Sequence, residues 1–242
     1  MRERTGTTQL NCFSPPVMIA TMVIEVSLAL YTLWRYKMSP TIRLIAITLL
    51  ALATFQLAEF FVCTNSIGHV IGWSRFGFAA ITLLPPLGLH LMHDLAGKPG
   101  RRIVRTAYFT MACFIAFFLV FPNVFDSYQC TGNYVIFHLR PHAGGIYWVY
   151  YFGWIITSVV LGVRWGNQLA RLGKKAHRQL QTVQALIIGW FVFIVPTAVA
   201  NVVNPASRQG IPSIMCGFAV LLGLILALYI LPRAGKPKSR AA

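Results

Sequence analysis

Long apolar stretches, each closed by charged or turn-forming residues, recur seven times along the chain. They cover Val17–Trp34, Ile42–Cys63, Phe76–Leu95, Ile103–Phe121, Ile146–Val163, Val183–Val203 and Ile211–Leu231. The third can also be started at Ile71. Each approaches the ~20 residues an α-helix needs to cross a hydrocarbon core. A helix of that length satisfies its backbone groups internally, which lipid demands. The pattern predicts an all-α integral membrane protein: one seven-transmembrane helix bundle over residues 1–242. Pro85-Pro86 in the third stretch and Pro196 in the sixth are expected to kink their helices. The first sixteen residues are polar and carry no cleavable signal-peptide pattern, so the first span is expected to act as its own insertion signal.

Between the fourth and fifth stretches lies the longest connection outside the membrane, residues 122–145. Two β-prone runs within Ser127–Phe137 flank Thr131-Gly132-Asn133, which predicts a short hairpin folded over the bundle as a lid. The first three spans and the last three share no motif, so no internal repeat is expected.

Composition narrows the class further. The 242 residues are 57% hydrophobic and 11% charged, against about 25% charged in soluble domains. That excludes a disordered chain, a secreted disulfide scaffold and a cytoplasmic enzyme. Of the 21 Lys and Arg, 16 fall in four segments on one side of the threaded chain and five on the other. The basic side holds Arg35–Arg43, Lys98–Arg105, Arg164–Arg178 and Arg233–Arg240; the other holds Arg2, Arg4, Arg75, Arg140 and Arg208. The positive-inside rule then places the N-terminus outside and the C-terminus in the cytoplasm of a bacterial-type cytoplasmic (inner) membrane. The net charge of +16 is dispersed over those segments, so nucleic acid is not the expected partner; the lipid bilayer is. The richest segment, Arg164–Arg178, reads as a topogenic loop that can also hold anionic lipid head groups.

Polar residues inside spans carry the candidate chemistry. Thr48, Gln56, Glu59 and Cys63 share one face of the second helix, with Leu52 among them. Thr21, Glu25, Leu28 and Thr32 align on the first, and Trp190, Thr197, Asn201 and Asn204 on the sixth. The three stripes are expected to face one another. They would form a polar ligand pocket in the outer half of the bundle, with Glu59, Gln56, Glu25, Asn201 and Arg75 as its candidate residues. A purely structural reading stays open, in which Glu59 pairs with Arg75 at the start of the third span. Cys63 and Cys130 are the candidate disulfide, since both belong at the outer boundary; free thiols are the alternative and Cys12 is a competing partner. Cys113 and Cys216 lie within spans and are expected to pack as small apolar residues.

Metal ligation is weakly signalled. His138 and His142 are four apart, near Asp126, Cys130 and His69, but no compact metal motif is present, so no metal is expected. His90 and His93 near the inner end of the third span are read as helix-end histidines, with His90 bonded to Asp94 or backbone and haem ligation as the lesser alternative. A retinal Schiff base needs a lysine in the last span, and Ile211–Leu231 has none. No cofactor is identified. A nucleophile elbow and a phosphate loop are both absent, and no catalytic residue is assigned.

Two resemblances bear on function. The stretch Trp73-Ser-Arg75-Phe-Gly77 through Pro85-Pro86-Leu-Gly-Leu-His90 resembles the seven-helix N-terminal sensor region of bacterial and archaeal histidine kinases. That region carries a tryptophan, a basic residue, a glycine and a proline pair in its third helix. Cys12-Phe13-Ser14-Pro15, with Gln56-x-x-Glu59, resembles a small uncharacterised bacterial membrane family that opens Met-Cys-Phe-Ser; here Asn11 and ten residues before it precede the cysteine. The first resemblance implies a sensor. No output domain follows Leu231, so its signal is expected to pass to a separate protein. The leading expectation is a stand-alone seven-helix sensor or receptor-like protein. The alternatives are a small-molecule transporter or an accessory subunit of a membrane complex, and, further off, a membrane-embedded enzyme. Ala112-x-x-x-Ala116 and Ala219-x-x-x-Gly223-x-x-x-Ala227 suit helix contacts either within the bundle or with another subunit, which leaves the oligomeric state open.

Overall fold

The computed structural model describes residues 15–64, 70–99, 101–121, 124–130, 135–203 and 210–238. Its elements in chain order are α1 (Pro15–Arg35), α2 (Pro40–Thr64), α3 (Val70–Thr82), α4 (Leu84–Leu95), α5 (Arg101–Val120), β1 (Phe125–Cys130), β2 (Val135–Leu139), α6 (Pro141–Arg171), α7 (His177–Val203), α8 (Ile211–Leu224) and α9 (Leu231–Ala234). A π-turn, Ile225–Ile230, joins α8 to α9. Seven of the resulting rods are long and apolar enough to cross a membrane, with α3–α4 counting as one and α8–α9 as another. The protein is therefore a multi-pass membrane protein built as an all-α bundle, with one β-hairpin at one end. Large apolar side chains such as Phe109, Val149 and Val202 point outward, as a bundle with lipid for solvent requires.

The proline pair breaks the third rod at Leu83. Pro86 has no N–H to give the carbonyl of Thr82. The Tyr150 hydroxyl of α6 takes that place, donating to Thr82 O at 2.7 Å. Neighbouring helices satisfy carbonyls freed by proline in this way. Pro196 lies inside α7, which continues through it to Val203. The fifth rod is much longer than its apolar stretch. α6 starts at Pro141 and runs on through Arg164 to Arg171, because helix formation does not stop where hydrophobicity does.

α2 is the central helix, packed against α1, α3, α4 and α8. Close approach is bought at glycines: a Cβ on Gly88 of α4 would fall 1.9 Å from Cζ2 of the buried Trp190 of α7.

β1 and β2 pair antiparallel from Phe125↔Leu139 to Cys130↔Val135, with an irregularity between Phe125 and Ser127. The hairpin docks through phenylalanines. Phe125 and Phe137 are buried and sit 5.0 and 5.3 Å from the Phe78 ring, which also meets Phe55, Phe118 and Tyr147. The predicted Thr131-Gly132-Asn133 turn lies outside the described residues. At the opposite, basic end the chain after α9 clasps the α1–α2 corner. Lys37 N–H donates to Lys236 O at 2.9 Å, and Lys238 N–H to Arg35 O at 3.0 Å.

Candidate functional site

The polar stripes of α1 and α2 do turn inward. Glu25 is 0% exposed, Glu59 1% and Gln56 3%. Thr21, Thr32, Thr48 and, on α7, Thr197 are buried too. The first three donate to carbonyls of their own helices (Thr21 to Val17 O and Met18 O, Thr32 to Leu28 O, Thr48 to Leu44 O) and so need no partner across the bundle. The carboxyl groups are different, since a helix offers an acceptor nothing once its own ladder is complete.

Glu59 finds Ser213, near the start of α8, as its side-chain hydrogen-bond partner. The same hydroxyl accepts the backbone N–H of Val135, the first residue of β2, at 3.1 Å. One side chain therefore joins the hairpin, α8 and α2. Glu25 is close enough to Glu59 for their charges to interact, and the buried Cys216, one turn beyond Ser213, faces both. Neither oxygen of Glu25, nor Oε1 of Glu59, has a hydrogen-bond partner among the described residues. The result is a buried polar cluster beneath the hairpin. Toward the bundle centre lies a cavity of about 10 Å³ lined by Thr48, Trp190, Tyr151 and Cys216 among others, room for a single water. Thr48 and Trp190 come from two of the three predicted stripes, which meet there. Asn201 is half-buried in the last turn of α7.

Arg75 does not play the part expected of it. Its guanidinium donates to Phe118 O, Nε to O at 2.7 Å, and to Leu119 O. These are carbonyls of the last turn of α5, left without intrahelical donors, and a cation suits a helix C-terminus. The expected pairing with Glu59 gives way to this cap, and Glu59 turns to Ser213. Cys63 and Cys130 form the disulfide, with Cα atoms 5.7 Å apart, fixing β1 to the end of α2. Cys113 and Cys216 are free; Cys216 is buried, whereas Cys113 is exposed rather than packed inside.

The histidines differ from expectation as well. His90 Nδ1 meets the Tyr108 hydroxyl at 3.0 Å, because Asp94 is taken by the hydroxyl of Thr41. The His93 ring packs edge-on to Trp165 at 4.5 Å. His138 is half-buried on β2. Cys12, His69 and Asn204, and the side chains of Asp126 and His142, lie outside the described residues. Among the described residues no three His, Cys, Asp or Glu side chains gather where a metal could sit.

Ser213 is the residue that sequence reasoning missed. It sits in Ile211-Pro-Ser, which reads as the polar lip of an apolar span. Its signal was its placement: a hydroxyl one turn before Cys216, on one face of the most apolar rod.

The chain matches no family model, no curated protein and no solved structure.

Proposed function

We propose that the protein is a stand-alone seven-helix membrane sensor in a bacterial-type cytoplasmic membrane, with the hairpin outside and the basic end in the cytoplasm, passing its signal to a separate protein. The 16-to-5 division of Lys and Arg supports that orientation. The likeness of Trp73–His90 to the sensor regions of histidine kinases supports the class. The observation that carries the reading is the Ser213 bridge. An external ligand that lifts the hairpin or competes for Glu59 must disturb Ser213, and Ser213 opens the rod that ends in the basic-end clasp. That rod contains a π-turn, a form frequent at functional sites, and its end grips the α1–α2 corner through Lys236 and Lys238. Loss of the bridge at one end therefore loosens the clasp at the other, some 30 Å away at roughly 1.5 Å per helical residue. The loosened basic tail is the surface offered to the partner.

The test uses the full chain in lipid nanodiscs and amide hydrogen exchange. In Ser213→Ala, exchange is expected to rise at Val135 and also at Lys37 and Lys238, the two amides that close the clasp; Ser213→Thr, which keeps the hydroxyl, restores both. A rise confined to the hairpin and the first turn of α8 would make the bridge a local fastening and overturn the relay.

A further inference from the structure

A second polar site lies at the basic end, unconnected with the carboxyl cluster. Two hollows lie there. The first, about 280 Å³, is lined by Arg178, Gln179 and Thr182 of α7, Arg233 of α9, and Thr41 and Asp94. The second, about 290 Å³, runs along the seam of α7 with the π-turn, between Gln181, Gln184, Ala185 and Ile188 on one side and Ile225 and Tyr229 on the other. Arg233 lines the first and Tyr229 the second, and the two side chains are in contact. The guanidinium lies 3.6 Å over the ring and donates from Nη1 to Tyr229 O at 2.9 Å.

Read from the membrane interior outward, the seam is graded. Ile188 and Ile225 come first, then the two glutamines with Tyr229, then Arg178 and Arg233. Ile188 is 56% exposed and Tyr229 38%, so the groove opens to the bundle's surroundings. Gln184 is exposed on the same flank, where hydrocarbon offers an amide nothing and each unmatched polar group costs several kcal/mol. A phospholipid has the same gradient: acyl chain, ester carbonyls, phosphate. Its esters meet the glutamine amides, and its phosphate meets two guanidinium forks, the geometry arginine suits best. Asp94, in the same hollow, would repel a bare anion. Its Oδ2 accepts from Thr41, which leaves Oδ1 to accept from a head group that carries its own donors.

We propose that the α7–π-turn seam is a specific phospholipid site, selective for head groups that pair the phosphate with a hydrogen-bond donor, an ammonium or a hydroxyl. It rests on the protein spanning a bilayer and is independent of the sensor reading. Arg178 and Arg233 hold the phosphate, Gln181 and Gln184 the esters, and Asp94 reads the head group.

Native mass spectrometry of the full chain in detergent tests this, with phosphatidylethanolamine, phosphatidylglycerol and phosphatidylcholine of identical acyl chains, and inorganic phosphate as a separate arm. One lipid is expected to be retained, with the first two preferred over phosphatidylcholine and undisturbed by inorganic phosphate. Arg178→Gln with Arg233→Gln should weaken retention at least tenfold; Arg171→Gln with Lys175→Gln, the same charge change at exposed positions at and just past the end of α6, should not. Asp94→Asn should keep the lipid and lose the preference. Equal effects of the two charge pairs would reduce the site to general attraction by a basic surface. Displacement by inorganic phosphate would make it a free-anion site. Either outcome, or retention without preference, overturns the proposal. Arg233→Lys, which keeps the charge, guards against a folding defect in the arginine variant.

Discussion

Reducing the Cys63–Cys130 disulfide should weaken the protein without undocking its hairpin, and the two effects can be separated. The bond closes a loop of sequence separation 67, for which chain entropy alone gives roughly 4 kcal/mol. That figure assumes a free chain. Here the α3–α4 rod and α5 lie within the loop and stay threaded when the bond is cut, so the segment released runs from Val120 to Cys130. A loop of about 15 residues corresponds to about 3 kcal/mol, which we take as the upper value. The hairpin's other attachments survive reduction: buried Val124, Phe125, Val135 and Phe137, the ladder from Cys130↔Val135 to Phe125↔Leu139, and the 3.1 Å bond from Val135 to Ser213. At roughly 2–4 °C per kcal/mol for a chain of this size, the apparent melting midpoint in detergent should fall on reduction by at most about 6–12 °C. Amide exchange of β2 at room temperature should change little. A fall below about 2 °C with reduction confirmed by thiol titration would mean the packing holds the hairpin unaided. Immediate exchange of Val135 on reduction would mean the disulfide is its only real fastening. Either result refutes the division of labour argued here.

Gly88→Ala drives a Cβ into Trp190 and should cost about 1–3 kcal/mol as an overpacked core; Trp190→Phe in the same chain should recover part of it in a melting series. Arg75→Gln should fray the last turn of α5, with faster exchange at residues 118–120 and a loss of up to ~2 kcal/mol. A double-mutant cycle of Arg75→Gln with Glu59→Gln should be additive within about 0.5 kcal/mol, because the two side chains do not pair; a larger coupling term would restore the salt bridge. Reporter cysteines added at the two ends of the chain should label from opposite sides of the membrane, and labelling from one side would mean a span is miscounted.

The bundle was legible because lipid leaves the sequence few options. Seven apolar stretches became seven rods, and the inward stripes containing Glu25 and Glu59 are buried, because a carboxylate facing hydrocarbon is penalised whatever its neighbours are. The hairpin was legible from its β-prone runs, and the disulfide from two cysteines placed at one boundary. Partnerships were not legible. Arg75 and Glu59 stand at similar depth in adjacent rods, which made an ion pair look natural. Depth says nothing of azimuth, and the orphan carbonyls of α5 were a nearer need for a guanidinium. Ser213 was hidden for the opposite reason: a serine near a helix start reads as punctuation, and only the docked hairpin turns it into a junction. The break at Leu83 was foreseeable from Pro85-Pro86, but the Tyr150 hydroxyl that mends it was not, being 68 residues beyond Thr82 and on another rod.

The energetics of the two glutamates favour a functional over a structural account. Structural glue must hold something. Glu59 does so through Ser213, yet a serine or asparagine could accept or donate there without the cost of a carboxyl group. Glu25 holds nothing by hydrogen bonding among the described residues, while being fully buried. An acidic residue at the centre of a membrane helix costs about 2.5–3.5 kcal/mol on the insertion scale, and a typical hydrogen bond returns only about 0.5–1.5 kcal/mol. Glu25→Leu should on this arithmetic leave the bundle as stable or more so, which is the reverse of what removing an interhelical tie would do. Glu25 burdens the fold beside Glu59, which reaches the hairpin through Ser213, and that placement favours the sensing centre proposed above.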